Sequence, residues 1–567
     1  MNRAMFLRKK RAMEAAAAKR SANSVKVETS EKNTAYLTEE YKQTILSVSY
    51  LGTKGFTIPK DSLSREDLAD LKHELTLRKT VQSPVPTEDI IVPVYRENDK
   101  KIYIPRFYAQ KRYGKIQSSK IGEGESMQHT TFRGKMRDYQ EEIVRVYTNS
   151  AREVGGGLIS LHTGGGKTVI SIKIATVIHK KTLIIVHKEF LMNQWIERIR
   201  DFCGEDTPIG RIQGDVFDVE GKDFVIGMLQ TLYSRPYPEN AFSQFGLLII
   251  DETHRICSEQ FSRALFKLQI NHCLGISATI ARKDGMETIL NMFVGDVVYH
   301  KERDGNDLVT VRAVEYISRD EKFNEVEYDR RGTVKYSTML SKLCDCDQRT
   351  EFVIKLIKDL IEETPEQQIM ILAHNKSVLH YVHDAIRDRN IATVGYYIGG
   401  MKQKHLQETE EKQVVIATYA MASEALDIKT LATLVMVTPK TDIVQSVGRI
   451  LRMKHENPII VDVVDSHSVF QNQWKQRRVY YKKCNYRIRY IKSTEYRGMN
   501  IDWDEDTTWR RVFEPRNVAG ATAPNHGHHH HNPEDEEDEI AMRNGNVPAE
   551  FQQCMIDVSK FKGGDDA

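Results

Sequence analysis

From residue 131 onward the chain repeats one pattern, a short and almost wholly apolar run followed by a longer segment with helical spacing. TLIIVH (182–187), FVIGM (224–228), GLLIIDE (246–252) and CLGISAT (273–279) form a first series. QIMILAH (368–374), ATVGYYI (392–398), VVIATY (414–419), TLVMVT (433–438) and PIIVDVVD (458–465) form a second. Runs this apolar predict strands buried on both faces, and strands alternating with helices predict a parallel sheet covered by helices on either side. Two series in tandem predict two α/β domains, over 131–300 and 351–480, with the mixed, charged stretch 301–350 as a connector. A chain of 567 residues is too long for one core, so further units are expected.

Those units flank the tandem. Residues 1–34 open with Arg3, Arg8, Lys9, Lys10, Arg11, Lys19 and Arg20 around an alanine run. A disordered basic arm, a nuclear-localisation patch and a transit peptide all fit that composition. Residues 35–130 read as a small accessory domain and linker. IIVPVYRENDKKIYIPRFY predicts two strands about a Glu97-Asn98-Asp99-Lys100 turn, and the Gly, Ser and Lys of 113–130 predict a linker. A basic extension is expected over 481–516. Residues 517–567 carry HGHHHH (526–531) and the acids Glu534 to Glu539, which cannot bury a core and read as a disordered tail rather than a metal site.

Global charge names no partner, because Lys plus Arg exceeds Asp plus Glu by only 82 − 79 = 3. The seven cysteines, at 203, 257, 273, 344, 346, 484 and 554, include no CxxC pair, which argues against a zinc cluster or a secreted disulfide framework. With no apolar run of ~18–20 residues and no signal-peptide core, an intracellular, non-membrane protein is expected.

The chemistry is concentrated in three places. Leu158 to Leu161 predicts a strand running into His162-Thr163-Gly164-Gly165-Gly166-Lys167-Thr168, and VISIKIATVI predicts the helix that follows. Glycines let successive backbone N–H groups turn inward onto phosphate oxygens, and the helix N-terminus adds its positive dipole end. Lys167 then supplies a point charge to the outer phosphates and the Thr168 hydroxyl a Mg²⁺ ligand. The strict pattern would place glycine at position 161, where this chain has Leu161. GLLIIDE ends in Asp251-Glu252-Thr253-His254. Asp251 at a strand's carboxyl end can hold Mg²⁺, Glu252 can orient and deprotonate an attacking water, and His254 can sense the γ-phosphate. Gln445-Ser446-Val447-Gly448-Arg449-Ile450-Leu451-Arg452 places two arginines three residues apart, able to neutralise charge on a transferring phosphoryl group from a second domain.

Together these elements resemble the motifs of superfamily 2 helicases over residues 131 to about 470. Gly164 to Thr168 resembles motif I, Asp251 to His254 motif II in its DExH form, Ser277-Ala278-Thr279 motif III, Thr418 to Asp427 motif V, and Gln445 to Arg452 motif VI. Met136-Arg137-Asp138-Tyr139-Gln140 is similar to the element before motif I. The resemblance implies two tandem RecA-like P-loop domains, ATP and Mg²⁺ as cofactors, adenine contacts from Arg137 and Gln140, and nucleotide contacts from Thr163 and Asp427. It also implies a nucleic-acid contact at Thr418.

Arg282-Lys283-Asp284 is similar to the Arg-Glu-Asp element of the xeroderma pigmentosum B branch, with lysine in place of the acid, and implies DNA contacts from Arg282 and Lys283. VHKEFLMNQWIERI, RIQGDV, GMLQTL and MFVGDVV look like the viral members of that branch, the poxvirus-type DNA helicase and transcript-release factors. The expected function is an ATP-dependent DNA helicase or translocase acting in viral transcription or DNA transactions, in the host cytoplasm, nucleus or virion. The expected partners are single- or double-stranded DNA and the transcription machinery. A DExH RNA motor acting on RNA or an RNA–DNA hybrid, and a nucleic-acid scaffold without ATPase activity, are the alternatives. Residues 471–492 hold eight Lys or Arg and no acid, interleaved with Trp474, Tyr480, Tyr481, Tyr486 and Tyr490. They are expected to bind nucleic acid, through Lys482, Lys483, Arg487 and Arg489, by phosphate neutralisation and base stacking.

Overall fold

A computed structural model describes residues 36–515 apart from 80–89, 129, 254–258, 279–286, 303–306, 331, 425, 427, 500–502 and 504. The basic arm of 1–34 and the His-rich and acidic tail of 517–567 lie outside the described residues.

The first unit carries strands β1 (Tyr50–Gly52), β2 (Gly55–Pro59), β3 (Thr76–Lys79), β4 (Ile90–Pro93), β5 (Arg96–Glu97) and β6 (Lys101–Ile104). β1-β2-β6-β5 form an antiparallel sheet and β3-β4 a separate pair. The expected turn between β5 and β6 is present: Asn98 Oδ1 accepts from the backbone N–H groups of Lys100 and Lys101 at 3.1 and 2.7 Å.

Two eight-stranded sheets follow. The first contains β7 (Gly156–Leu161), β8 (Thr182–Val186), β9 (Ile209–Gln213), β10 (Val216–Phe217), β11 (Phe224–Met228), β12 (Leu247–Ile250), β13 (His272–Ser277) and β14 (Val297–Lys301), ordered β10-β9-β11-β8-β12-β13-β7-β14. The second contains β15 (Thr310–Tyr316), β16 (Gln368–Ala373), β17 (Val394–Tyr397), β18 (Val414–Thr418), β19 (Leu431–Met436), β20 (Ile459–Asp465), β21 (Arg487–Lys492) and β22 (Arg510–Phe513), ordered β17-β18-β16-β19-β20-β15-β21-β22. All pairings are parallel except the edge strands β10 and β22. These are two tandem RecA-like α/β domains.

The strands are apolar throughout because successive side chains point to opposite faces and both faces are covered. Leu183, Ile185, Leu248 and Ile250 enter one cluster, while Ile184, Val186, Leu247 and Ile249 enter the other. In the second sheet Met370 and Leu372 face one way, Ile369 and Ile371 the other. Six helices matter below: α1 (Arg106–Tyr113), α2 (Asp138–Glu153), α3 (Lys167–Ile178), α4 (Glu189–Cys203), α5 (Asp347–Glu363) and α6 (Ser468–Lys483).

The accessory unit is fused to the first domain. Ile45, Phe56, Ile58, Ile104 and Phe107 share one hydrophobic cluster with Leu183, Val225, Leu248 and Phe293. Arg106, at the start of α1, donates to the Asn271 and Val154 carbonyls at 2.6 and 3.3 Å. The stretch read as a linker is also anchored, with Met127 and Thr130 buried and Thr130 Oγ1 donating to Asp223 Oδ2 at 2.6 Å.

Two further stretches differ from expectation. The connector 301–350 contains β15, which lies between β20 and β21 inside the second sheet. The basic extension contributes β21 and β22 to the same sheet. Composition concealed β15 because Arg312 and Glu315 interrupt its apolar run; Arg312 is buried and bonds through Nη2 to Glu363 Oε1 at 2.8 Å.

The basic stretch 471–492 also needs correction. Trp474, Arg477, Arg478 and Tyr481 are spaced i, i+3, i+4 and i+7, so they share one face of α6, and that face is buried. Tyr486 is buried too, so these rings pack in the core and cannot stack on bases. Arg489 is buried against Glu514. Lys482, Lys483 and Arg487 remain nearer the surface, where Lys483 pairs with Glu302 at 3.1 Å and Arg487 with Glu514 at 3.1 Å.

Candidate nucleotide site between the two domains

The loop after β7 leads straight into α3, so the helix N-terminus faces the space at the strand's end. Gly166 caps α3 at φ 80°, a left-handed conformation costly for other residues, and a Cβ there would fall 2.3 Å from Gln140 Nε2. Gln140 is held in turn, its Oε1 accepting from the Arg137 backbone N–H at 2.9 Å. Tyr139 donates to the Gly165 carbonyl at 3.2 Å, and Lys167 Nζ folds back to the Leu161 carbonyl at 3.3 Å. The element before the loop therefore braces it, through the Tyr139 hydroxyl and the close packing of Gln140 on Gly166.

Asp251 follows β12 directly. The Trp195 indole, from α4, donates to its Oδ2 at 2.8 Å, and the Glu252 backbone N–H donates to its Oδ1 at 2.8 Å. Burial, and then the neighbouring Glu252, push the Asp251 carboxyl above the usual carboxylate range, while the Trp195 bond and Lys167 pull the other way. Glu252 itself sits at φ 48°, unusual for a residue with a side chain.

The second domain closes the site. Gln445 lies on the short helix Val444–Val447, and Arg449 is buried with its Nη1 donating to the Leu426 carbonyl at 2.6 Å. Burial, and then the charge of Arg198 across the cleft, bring the Arg452 guanidinium down to about 10. At Gly448 the two domains pack closely: a Cβ there would fall 2.6 Å from Thr163 Cβ.

One cavity of about 490 Å³ joins these groups. Arg137, Gln140, Thr163, Gly164, Gly166, Lys167, Thr168, Asp251 and Glu252 line it from the first domain, and Gln445, Arg449 and Arg452 from the second. Gly165 is in the loop but not in the wall. Thr418 ends β18 and accepts from the Met421 backbone N–H at 3.4 Å, away from this wall. His254, Arg282, Lys283 and Asp427 lie outside the described residues.

Sequence reasoning missed Lys135, Lys429 and one face of α4. Leu191, Gln194, Trp195, Arg198 and Phe202 line the cavity at helical spacing. The available signal was an otherwise apolar helix face interrupted by Gln194 and Arg198.

Residues 133–282 match the family model described as Type III restriction enzyme, res subunit, and residues 351–454 match Helicase conserved C-terminal domain. The chain is similar to a protein of Acanthamoeba polyphaga mimivirus provisionally named an ATP-dependent RNA helicase, 32% identical over 81% of this chain and 90% of that one. It is 26% identical to an African swine fever virus protein with the same provisional name, over 62% of this chain and 73% of that one. It is 24% identical to a DNA 3′-5′ translocase of Sulfurisphaera tokodaii, over 60% of this chain and 84% of that one. With both helicase domains matched in order and a viral helicase relative aligned along most of its length, the chain belongs to the superfamily 2 helicases and is an ATP-hydrolysing helicase enzyme.

Proposed function

We propose that this helicase uses Mg²⁺ and ATP to move along duplex DNA and open it, in viral transcription or DNA transactions inside the host cell or virion. The observation that carries the ATP-driven motor is the single cavity shared by the phosphate loop, Asp251 and Glu252 on one side and Gln445, Arg449 and Arg452 on the other. A ligand that bridges both walls couples its own turnover to the separation of the domains.

The donor set fits a magnesium nucleotide. Asp251 is a buried carboxylate held by uncharged donors, and the Thr168 hydroxyl lines the same wall, a hard-oxygen pair suited to a divalent cation. Mg²⁺ bound there would neutralise phosphate charge. Lys167 binds the outer phosphates, Glu252 orients water and takes its proton, and Arg449 and Arg452 neutralise the charge that gathers on the departing phosphoryl group. Arg137 and Gln140 line the same cavity, and the resemblance assigns them to the base.

The choice of DNA rests on the Arg282-Lys283-Asp284 segment and on the archaeal relative named a DNA translocase. The names of the mimivirus and swine fever virus relatives favour a second reading, an RNA motor. Measuring ATP turnover and strand displacement on forked DNA, single-stranded RNA and RNA–DNA hybrid separates the two. Stimulation by DNA is expected, and stimulation by RNA alone overturns the choice. Loss of turnover in Lys167→Ala is expected, and unchanged turnover overturns the site.

A further inference from the structure

The geometry points to Trp195 as the positioning residue of the metal-binding carboxylate: its indole N–H fixes one oxygen of Asp251 while the Glu252 amide fixes the other. This inference rests on the magnesium-nucleotide reading above.

Trp195 has an ordinary explanation, since it is 2% exposed and packs among Leu191, Ile199, Phe224 and Ile249. Packing alone does not account for where its polar atom goes. A buried indole N–H needs an acceptor, and here the acceptor is Asp251 Oδ2 at 2.8 Å. The fold makes the contact possible: β8 pairs in parallel with β12, α4 follows β8, and Trp195 lies in the second turn of α4 beside the end of β12. Trp195 also lines the cavity itself.

With one donor on each oxygen, the carboxylate cannot rotate freely, and each oxygen keeps acceptor capacity for a cation. Hydrogen-bond partners behind metal-binding groups commonly change metal affinity by about 10–100-fold. Phenylalanine at 195 would keep most of the packing and remove the donor.

The test is binding of a fluorescent ADP analogue to the full-length protein across a Mg²⁺ titration, with no turnover needed. Trp195→Phe is compared with Trp195→β-(3-benzothienyl)alanine, which keeps the indole shape but has sulfur in place of N–H. Both are expected to raise the Mg²⁺ concentration at half-effect about tenfold, a larger change than any they make to binding in EDTA. In an Asp251→Asn background the same substitutions are expected to add nothing. An unchanged Mg²⁺ requirement in the benzothienyl variant, or a full additional effect on top of Asp251→Asn, overturns the assignment. Absence of Mg²⁺-dependent binding in the wild-type protein instead overturns the nucleotide reading itself.

Discussion

The two α/β domains treat buried carboxylates in opposite ways. On β20, Asp465 receives Nε and Nη2 of Arg349 at 2.6 and 2.8 Å, and both side chains are fully buried. Asp462 on the same strand receives Nε and Nη2 of Arg477 at 2.7 and 2.9 Å, with the Tyr481 hydroxyl at 3.0 Å. Asp251, after β12, has the Trp195 indole and the Glu252 amide, both uncharged, with Lys167 acting through space. Taking an acid out of water costs several kcal/mol unless a cation answers it. The second domain answers with its own arginines, so those acids hold the fold together. The first gives Asp251 only uncharged hydrogen-bond donors, and on the proposed function a bound magnesium nucleotide would answer its charge.

This division of labour makes graded predictions. The largest effect falls on turnover: Glu252→Gln should cut ATP hydrolysis by about a thousandfold while leaving the thermal midpoint within a few degrees. A coupled ATPase assay beside a melting curve checks both. A large loss of stability instead would mean that the first domain's acids are structural as well.

Next comes the second domain. Arg477→Ala should destabilise it by about 3–5 kcal/mol, and Arg477→Met with Asp462→Leu and Tyr481→Phe should recover most of that, because removing both charges and the hydroxyl bonded to them leaves none stranded. Denaturant unfolding followed by tryptophan fluorescence reads the difference. If the triple variant is no better than the single, the pair's worth lies in geometry rather than charge.

A smaller, pH-dependent effect concerns His374, whose imidazole is brought down to about 4 by burial and then by the charge of Lys440. Unfolded, it would protonate near pH 6.5. The unfolded chain then binds the extra proton between roughly pH 6.5 and 4, so stability should fall as pH drops through that window. His374→Gln should flatten this part of the stability profile.

The smallest expected effect is on nucleic-acid binding by the face around α6. Lys483 and Arg487 are already paired with Glu302 and Glu514. Replacing Lys482, Lys483 and Arg487 by alanine should flatten the salt dependence of DNA binding by about one for each cation that touches phosphate. An unchanged slope removes this face from the DNA path.

Local signals in the sequence were enough for the strand series, for Gly164 to Thr168 and for Asp251 and Glu252, because each is encoded by neighbours in the chain. Arg449 and Arg452 were legible through their spacing and resemblance, and the cavity now joins them to the other groups. The role of Trp195 was not legible, since its partner is 56 residues away and the polar breaks at Gln194 and Arg198 on its helix face do not point to Asp251. β15 was missed because Arg312 meets Glu363, and Glu315 the Gln471 amide and the Tyr490 hydroxyl, only in three dimensions. The α6 stripe was misread because counting cations ignored the helical spacing that turns Arg477 and Arg478 inward.

The shared core of the accessory unit and the first domain has a mechanical consequence. With Phe107 and Phe293 in one cluster and Arg106 tied to Asn271 and Val154, the described residues of the accessory unit and the first domain share a common frame. On the proposed cycle, a parting of the cleft at Gly448 and Thr163 would carry the accessory sheet along with the phosphate loop as its outrigger. Distances from β2 to β12 are then expected to stay constant, with the stroke measured from that frame to β16 and β20.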